Sequence, residues 1–192
     1  MDNTENKELF LSTFRKNVQR PGAEKLRAWM ETTDFFTAPA STRFHAAYEG
    51  GLLDHSMNVY NVLISKHFDP ASDDIESFTI VSLLHDLCKA GFYKTELRNR
   101  KNDRGEWEKV PVYTVDDQFP YGHGEKSVYL IERFMRLRTE EAMAIRWHMG
   151  GFDESVKGGS FALAHAFEKY PLAVKLHLSD LEATYLHENR SE

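Results

Sequence analysis

The chain carries a single cysteine, Cys88, in 192 residues. One thiol cannot build an internal disulfide framework, and this usage fits a reducing compartment. No stretch approaches the roughly 18 consecutive apolar residues of a membrane-spanning helix. The polar opening Met-Asp-Asn-Thr-Glu-Asn-Lys is not followed by the apolar core of a secretory signal. A cytoplasmic location and no membrane partner are therefore expected. Positive charge is also short, with 24 basic against 30 acidic residues. The resulting net charge of −6 gives no general attraction to nucleic acid, although a local basic patch could contact phosphates. Internal repeats and low-complexity segments are missing as well.

What remains is long enough to bury a full core, and residues 1–192 are expected to form one domain. Its nine histidines are the hint of metal chemistry in the composition. Leu9, Phe10, Phe14 and Val18 recur at helical spacing and predict a first amphipathic helix over 5–18. Pro21 suits the first turn of a second helix through Met30. Pro39 marks a loop, and the pair Gly50-Gly51 permits a tight turn before a third helix carrying Leu52, Leu53, Val59, Val62 and Leu63. Asp69-Pro70 breaks the chain, and Asp73-Asp74 can cap a fourth helix from Ile75 to Lys89. Residues 92–118 then change character. Phe92, Tyr93, Trp107, Val110, Val112, Tyr113 and Val115 flank the turn signal Asn102-Asp103-Arg104-Gly105, which predicts an inserted β-hairpin. Further helices are expected after Tyr121, from Glu140 to Met149 with Thr139 as cap, from Phe161 to Lys169 with Ser160 as cap, and from Pro171 to Leu186. The fold class is mostly α, a helical bundle with one hairpin.

The fourth helix ends in Ile80-Val-Ser-Leu-Leu-His85-Asp86-Leu-Cys88-Lys89. A buried apolar helix has little reason to carry His, Asp and Lys together unless a charged site faces them. Four further metal-ligating side chains, His55, His123, His148 and Asp180, stand on separate helix ends or faces. No local spacing motif joins them, so the fold must assemble the site. Imidazoles and carboxylates without thiolate suit Mn, Fe, Co, Ni or Zn, and Mg less well. Six such ligands exceed the need of one tetrahedral ion. They suit two divalent transition-metal ions sharing a carboxylate, about 3.5–4 Å apart, with a hydroxide held between them.

The order His55, His85-Asp86, Asp180 resembles the HD-domain superfamily of metal-dependent phosphohydrolases, and His123 with His148 resembles its dinuclear branch. The stretches Gly-Gly-Leu-Leu-Asp-His55 and His85-Asp-Leu-Cys-Lys89 carry the likeness, which spans residues 44–181. The first is similar to the corresponding stretch in the HD domains of some 3′–5′ exoribonucleases. The inserted hairpin departs from the minimal family core. The resemblance implies an all-α HD fold that hydrolyses a phosphate ester, with a nucleotide or another small phosphorylated molecule as substrate. It implies that His55, His85, Asp86 and Asp180 hold one ion, and that Asp86 bridges to a second held by His123 and His148. In that reading Asp86 and Lys89 are the catalytic residues, Lys89 supplying positive charge to the phosphate oxygens.

Other readings stay open at this level. HD-type di-iron oxygenases use a similar ligand set, and a sensor module would hold a nucleotide without turnover. Lys89 could serve only as a cation at a helix C-terminus. His177 reads as a residue facing the site, one behind it, or a surface residue, and His45 as a substrate contact or a bystander. His67, His165 and His187 read as surface or packing residues, and Cys88 as a small core residue. The hairpin is either a solvated pair of strands of mixed charge or a lid whose Arg98, Arg100 or Lys101 clamps a phosphate. The pattern specifies no oligomeric state.

Overall fold

A computed structural model describes residues 3–188 of the chain. The fold is mostly helical with one two-stranded antiparallel hairpin. Helix α1 (Asn3–Asn17) buries Phe10, Leu11 and Phe14. Phe10 meets Phe35 and Phe36 at ring-centroid distances of 5.6 and 5.4 Å. Leu9, expected on the same face, is exposed, and Leu11 takes its place in the core. Helix α2 (Ala23–Met30) starts two residues after Pro21, with Gly22 at its N-terminus.

Helix α3 (Gly51–His67) is followed by α4 (Ile75–Leu84), the spine of the molecule. Asp74 caps α4 by accepting from the Glu76 amide at 3.0 Å. Every residue of α4 from Ser77 to Leu84 is buried, and α1, α3 and two later helices, over Thr139–Trp147 and Pro171–Glu182, pack around it. A helix apolar on all sides has to sit inside such a bundle. The expected continuation to Lys89 does not occur. The α-helix stops at Leu84, Asp86 adopts φ −101° and ψ 19°, and Leu87–Lys89 form a 3₁₀ turn. Two local bonds account for the break. Ser82 O, the acceptor an unbroken helix would offer to the Asp86 amide, takes the His85 imidazole at 2.8 Å. Asp86 O then accepts from Lys89 N at 3.0 Å, the tighter i→i+3 pattern.

Strands β1 (Tyr93–Lys101) and β2 (Trp107–Val115) pair in the register Tyr93↔Val115 to Lys101↔Trp107. The turn forms where expected. Asn102 Oδ1 accepts from the amides of Arg104 and Glu106, both at 3.0 Å, and Gly105 takes φ 79°.

Helix α5 (His123–Glu132) begins at His123 itself. Helix α6 (Thr139–Trp147) is preceded by Arg138, whose amide donates to Glu141 Oε2 at 2.8 Å, so Glu141 and not Thr139 terminates its N-terminus. It closes at Trp147, before Met149. The short helix α7 (Glu154–Lys157) and α8 (Ala162–Lys169) lead to α9 (Pro171–Glu182), which runs on as a π-type turn over Ala183–His187. A buried ion cluster ties α6 to the rest. Glu141, fully buried, receives both guanidinium nitrogens of Arg20 at 2.7 and 2.8 Å and the Ser77 hydroxyl at 2.7 Å. Among the described residues no helix is long and apolar enough to cross a membrane.

Candidate metal centre

The six side chains scattered between positions 55 and 180 meet in one place. His55 Nε2 lies 3.2 Å from His85 Nε2, 3.2 Å from Asp180 Oδ1 and 3.5 Å from Asp86 Oδ2. On the other side of Asp86, Oδ1 lies 2.8 Å from His123 Nε2 and 3.5 Å from His148 Nε2. Each oxygen of Asp86 therefore faces a different pair of imidazoles. The donors of His55, His85 and Asp180 lie within 4.8 Å of one another, as do those of His85, Asp86 and His148, and those of Asp86, Cys88 and His123.

Five helices deliver these groups, mostly from their ends. His85 and His148 each follow the last residue of a helix, α4 and α6. Each turns its Nδ1 back onto the carbonyl three residues earlier, Ser82 O at 2.8 Å and Ile145 O at 2.6 Å. His55, in the second turn of α3, donates its Nδ1 to Glu188 Oε1 at 2.8 Å. The three rings thus spend the Nδ1 proton on an oxygen and turn Nε2 toward Asp86. That is the arrangement in which an imidazole serves a metal, its second nitrogen fixed by an acceptor. His148 Nε2 is buried and has no hydrogen-bond partner. Orphaned basic atoms in an enclosed site call for a positive species. The donor set, imidazole and carboxylate, suits a divalent transition ion, so the residues present fit such ions.

Charge is balanced on the protein side by Lys89. Its Nζ sits 2.6 Å from Asp86 Oδ2, and both groups are buried. Burial alone would raise the Asp86 carboxyl, but Lys89 and the bond from His123 hold it well below the ordinary carboxylate range. Burial alone would also lower the lysine, and Asp86 keeps it above its ordinary value and charged. His85 is pushed down to about 3 by burial. For His55 burial is outweighed by the hydrogen bonds to Asp180 and Glu188, which lift it to about 10.

The cluster forms the floor of a cavity of about 740 Å³ that opens to solvent. Tyr93 lines it, its hydroxyl donating to Ala40 O at 3.1 Å, as do Phe44, Phe152 and Lys157. The break after Leu84 matters here. It is at the residue that leaves the helix, Asp86 at φ −101° and ψ 19°, that the two imidazole pairs meet.

Four neighbours complete the picture. Glu188, which orients His55, was not among the expected site residues, because nothing in Leu-His-Glu188 distinguishes it from any surface glutamate. Cys88 is buried as expected, but its Sγ also lies 3.4 Å from His123 Nδ1. His177 lines the cavity and donates Nδ1 to His148 O at 2.6 Å, which places it behind the ligand set. The His45 ring lies 5.1 Å from that of His55, tilted by 44°, at the cavity wall, and is lowered to about 4, chiefly by burial. His187 is far from this role, paired with Glu182 at the surface.

No family model, curated protein or solved structure matches the chain.

Proposed function

We propose that this chain is a metal-dependent phosphohydrolase of the HD type, cleaving a nucleotide or another phosphodiester. One observation carries the reading. Asp86 offers one oxygen to His55 and His85 and the other to His123 and His148, the geometry of a carboxylate shared by two cations. His55, His85, Asp86 and Asp180 would hold one ion, and Asp86, His123 and His148 the other. Divalent ions in such a pair activate water as a nucleophile and neutralise phosphate oxygens.

The remaining steps belong to the chain's own residues. Lys89 stays charged and reaches the cavity beside Asp86, where it can receive a non-bridging phosphate oxygen. Tyr93 keeps its proton, since burial pushes its hydroxyl up to about 12. It is therefore a neutral wall beside Lys89 and does not compete for the cation. Glu188, Ser82 and Ile145 hold the ring orientations of His55, His85 and His148 before any ligand arrives. A cavity of about 740 Å³ accommodates a nucleotide-sized ligand.

The test is hydrolysis of an aryl phosphodiester and of a panel of nucleotides by protein loaded with Mn or Fe. His85→Ala and Asp86→Ala should abolish it. Activity that survives exhaustive chelation would overturn the reading. Oxygen uptake by the iron-loaded protein without phosphate release would assign an oxygenase instead.

A further inference from the structure

The hairpin of β1 and β2 stands largely exposed, its strands packing chiefly on each other. Its two faces differ in kind. The register places Leu97, Lys101, Trp107, Lys109 and Tyr113 on one face. Leu97 and Trp107 there are 66% and 69% exposed, an unusual outlay of large apolar surface. Lys101 Nζ rests 5.3 Å from the Trp107 ring centroid. No carboxylate shares this face: Glu96 and Glu108 alternate to the opposite side, and Asp103 and Glu106 lie in the turn. On that opposite side Glu96 pairs with Lys94 and approaches Arg98. In a chain of net charge −6, strand residues that put aromatic and cationic groups on one face without an acid of their own are a local exception, Glu49 being a neighbouring carboxylate near Tyr113. It is continuous with the metal cavity, because Tyr93 and Val115, the pair at its base, line that cavity. From base to tip the strands run about 26 Å at ~3.3 Å per residue.

We propose that this face is a track for single-stranded nucleic acid that leads a strand end into the His–Asp cavity. Trp107 and Tyr113 offer ring faces on which bases stack, and Lys101 and Lys109 offer charges to the phosphates between them. Strand addition by a second copy or a peptide is the weaker occupant. Pro111 supplies no amide in the middle of β2, which blunts edge pairing along that strand. Delivery of the end for cleavage rests on the hydrolase reading above; binding along the hairpin does not.

The experiment is fluorescence anisotropy with the 192-residue chain as purified and labelled 12-mers of oligo-uridine and oligo-thymidine, strand integrity being checked on a gel. A mononucleotide serves as the short control. Either 12-mer should bind at least tenfold more tightly than the mononucleotide. Trp107→Ala should weaken the 12-mer about tenfold. Lys101→Glu with Lys109→Glu should reduce the slope of log affinity against log salt by about 1.4, the value for two single-strand phosphate contacts. Turnover of the aryl phosphodiester should not change in either variant. The track is overturned if the 12-mers bind no better than the mononucleotide, or if the variants leave their affinity and salt slope intact. It is equally overturned if the variants dissolve a dimer, or release anionic vesicles, while oligonucleotide binding stays the same. Loss of aryl phosphodiester turnover in the wild type, with 12-mer binding intact, would sink the hydrolase reading alone.

Discussion

His148 holds its Nε2 3.5 Å from Asp86 Oδ1, while its Nδ1 donates to Ile145 O at 2.6 Å. The proton is thus committed to the backbone, and two basic atoms face each other across a gap in a buried site. On the other oxygen of Asp86 His85 repeats the arrangement, while His55 turns a second proton toward Asp180 at 3.2 Å. A cation between them would resolve both confrontations at once.

Lys89→Met should keep the shape of the buried stem and remove only the charge. The metal content measured by atomic emission should be unchanged, while kcat for a phosphodiester falls about 10²–10³-fold, the usual effect of deleting one transition-state charge contact. Unaltered turnover would reduce Lys89 to a counter-ion for Asp86.

Glu188→Gln should weaken metal binding without touching a ligand. The side chain accepts from His55 Nδ1 and Asn58 Nδ2, so its charge and orientation would reach a bound ion through His55. Losses for such supporting partners run to about 10–100-fold in affinity. Titration against a competing chelator reads this directly. Glu182→Gln, at a surface pair with Lys66, should have no effect.

The pH dependence has a definite sign. In the metal-free protein His55 is lifted from 6.5 to about 10, burial being outweighed by Asp180 and Glu188. Its contribution to stability is therefore complete below pH 6.5 and is lost as pH rises through about 10. Metal must expel that proton, so metal affinity should rise with pH, about tenfold per unit below pH 10 for one proton. Calorimetry in two buffers of different ionisation enthalpy should show about one proton released as the first site fills. A binding enthalpy independent of buffer would contradict this.

Gly124→Ala should disturb the second ligand set while leaving the first. A Cβ at Gly124 would lie 2.3 Å from Arg146 O, so α5 could not approach α6 as closely as it does. That approach puts the His123 ring 5.2 Å from the His148 ring. The expected result is about half the wild-type metal stoichiometry, with the fold retained by circular dichroism. Full stoichiometry would show that α5 moves without carrying His123 away.

The helices themselves were readable because apolar spacing is a local property. Phe10 and Phe14 on α1, and the largely apolar run of α4, declare their burial without reference to anything distant. The hairpin was readable for the same reason, its turn chemistry and β-formers lying within one stretch. The end of α4 was not. Ile-Val-Ser-Leu-Leu-His85-Asp86 reads as a continuous helix, and the break is seen only with the Ser82 and Lys89 bonds in place. Thr139 misled because a good capping residue stood beside the segment that Glu141 capped from inside.

The six candidate ligands could be named because His and Asp are rare on apolar segments, and because their order resembled a known pattern. Which atom of each faces which, and that Asp86 stands between two imidazole pairs, required the three-dimensional packing of five helix termini. Glu188 was hidden for the same reason: a glutamate's charge says nothing of which imidazole, 133 residues away in the chain, it holds. Local patterning is fixed by neighbours along the chain, so the sequence alone determined the helical class, the hairpin and the inventory of donor groups. Orientation and charge balance depend on contacts between distant segments, so only the tertiary structure decided how those donors face one another.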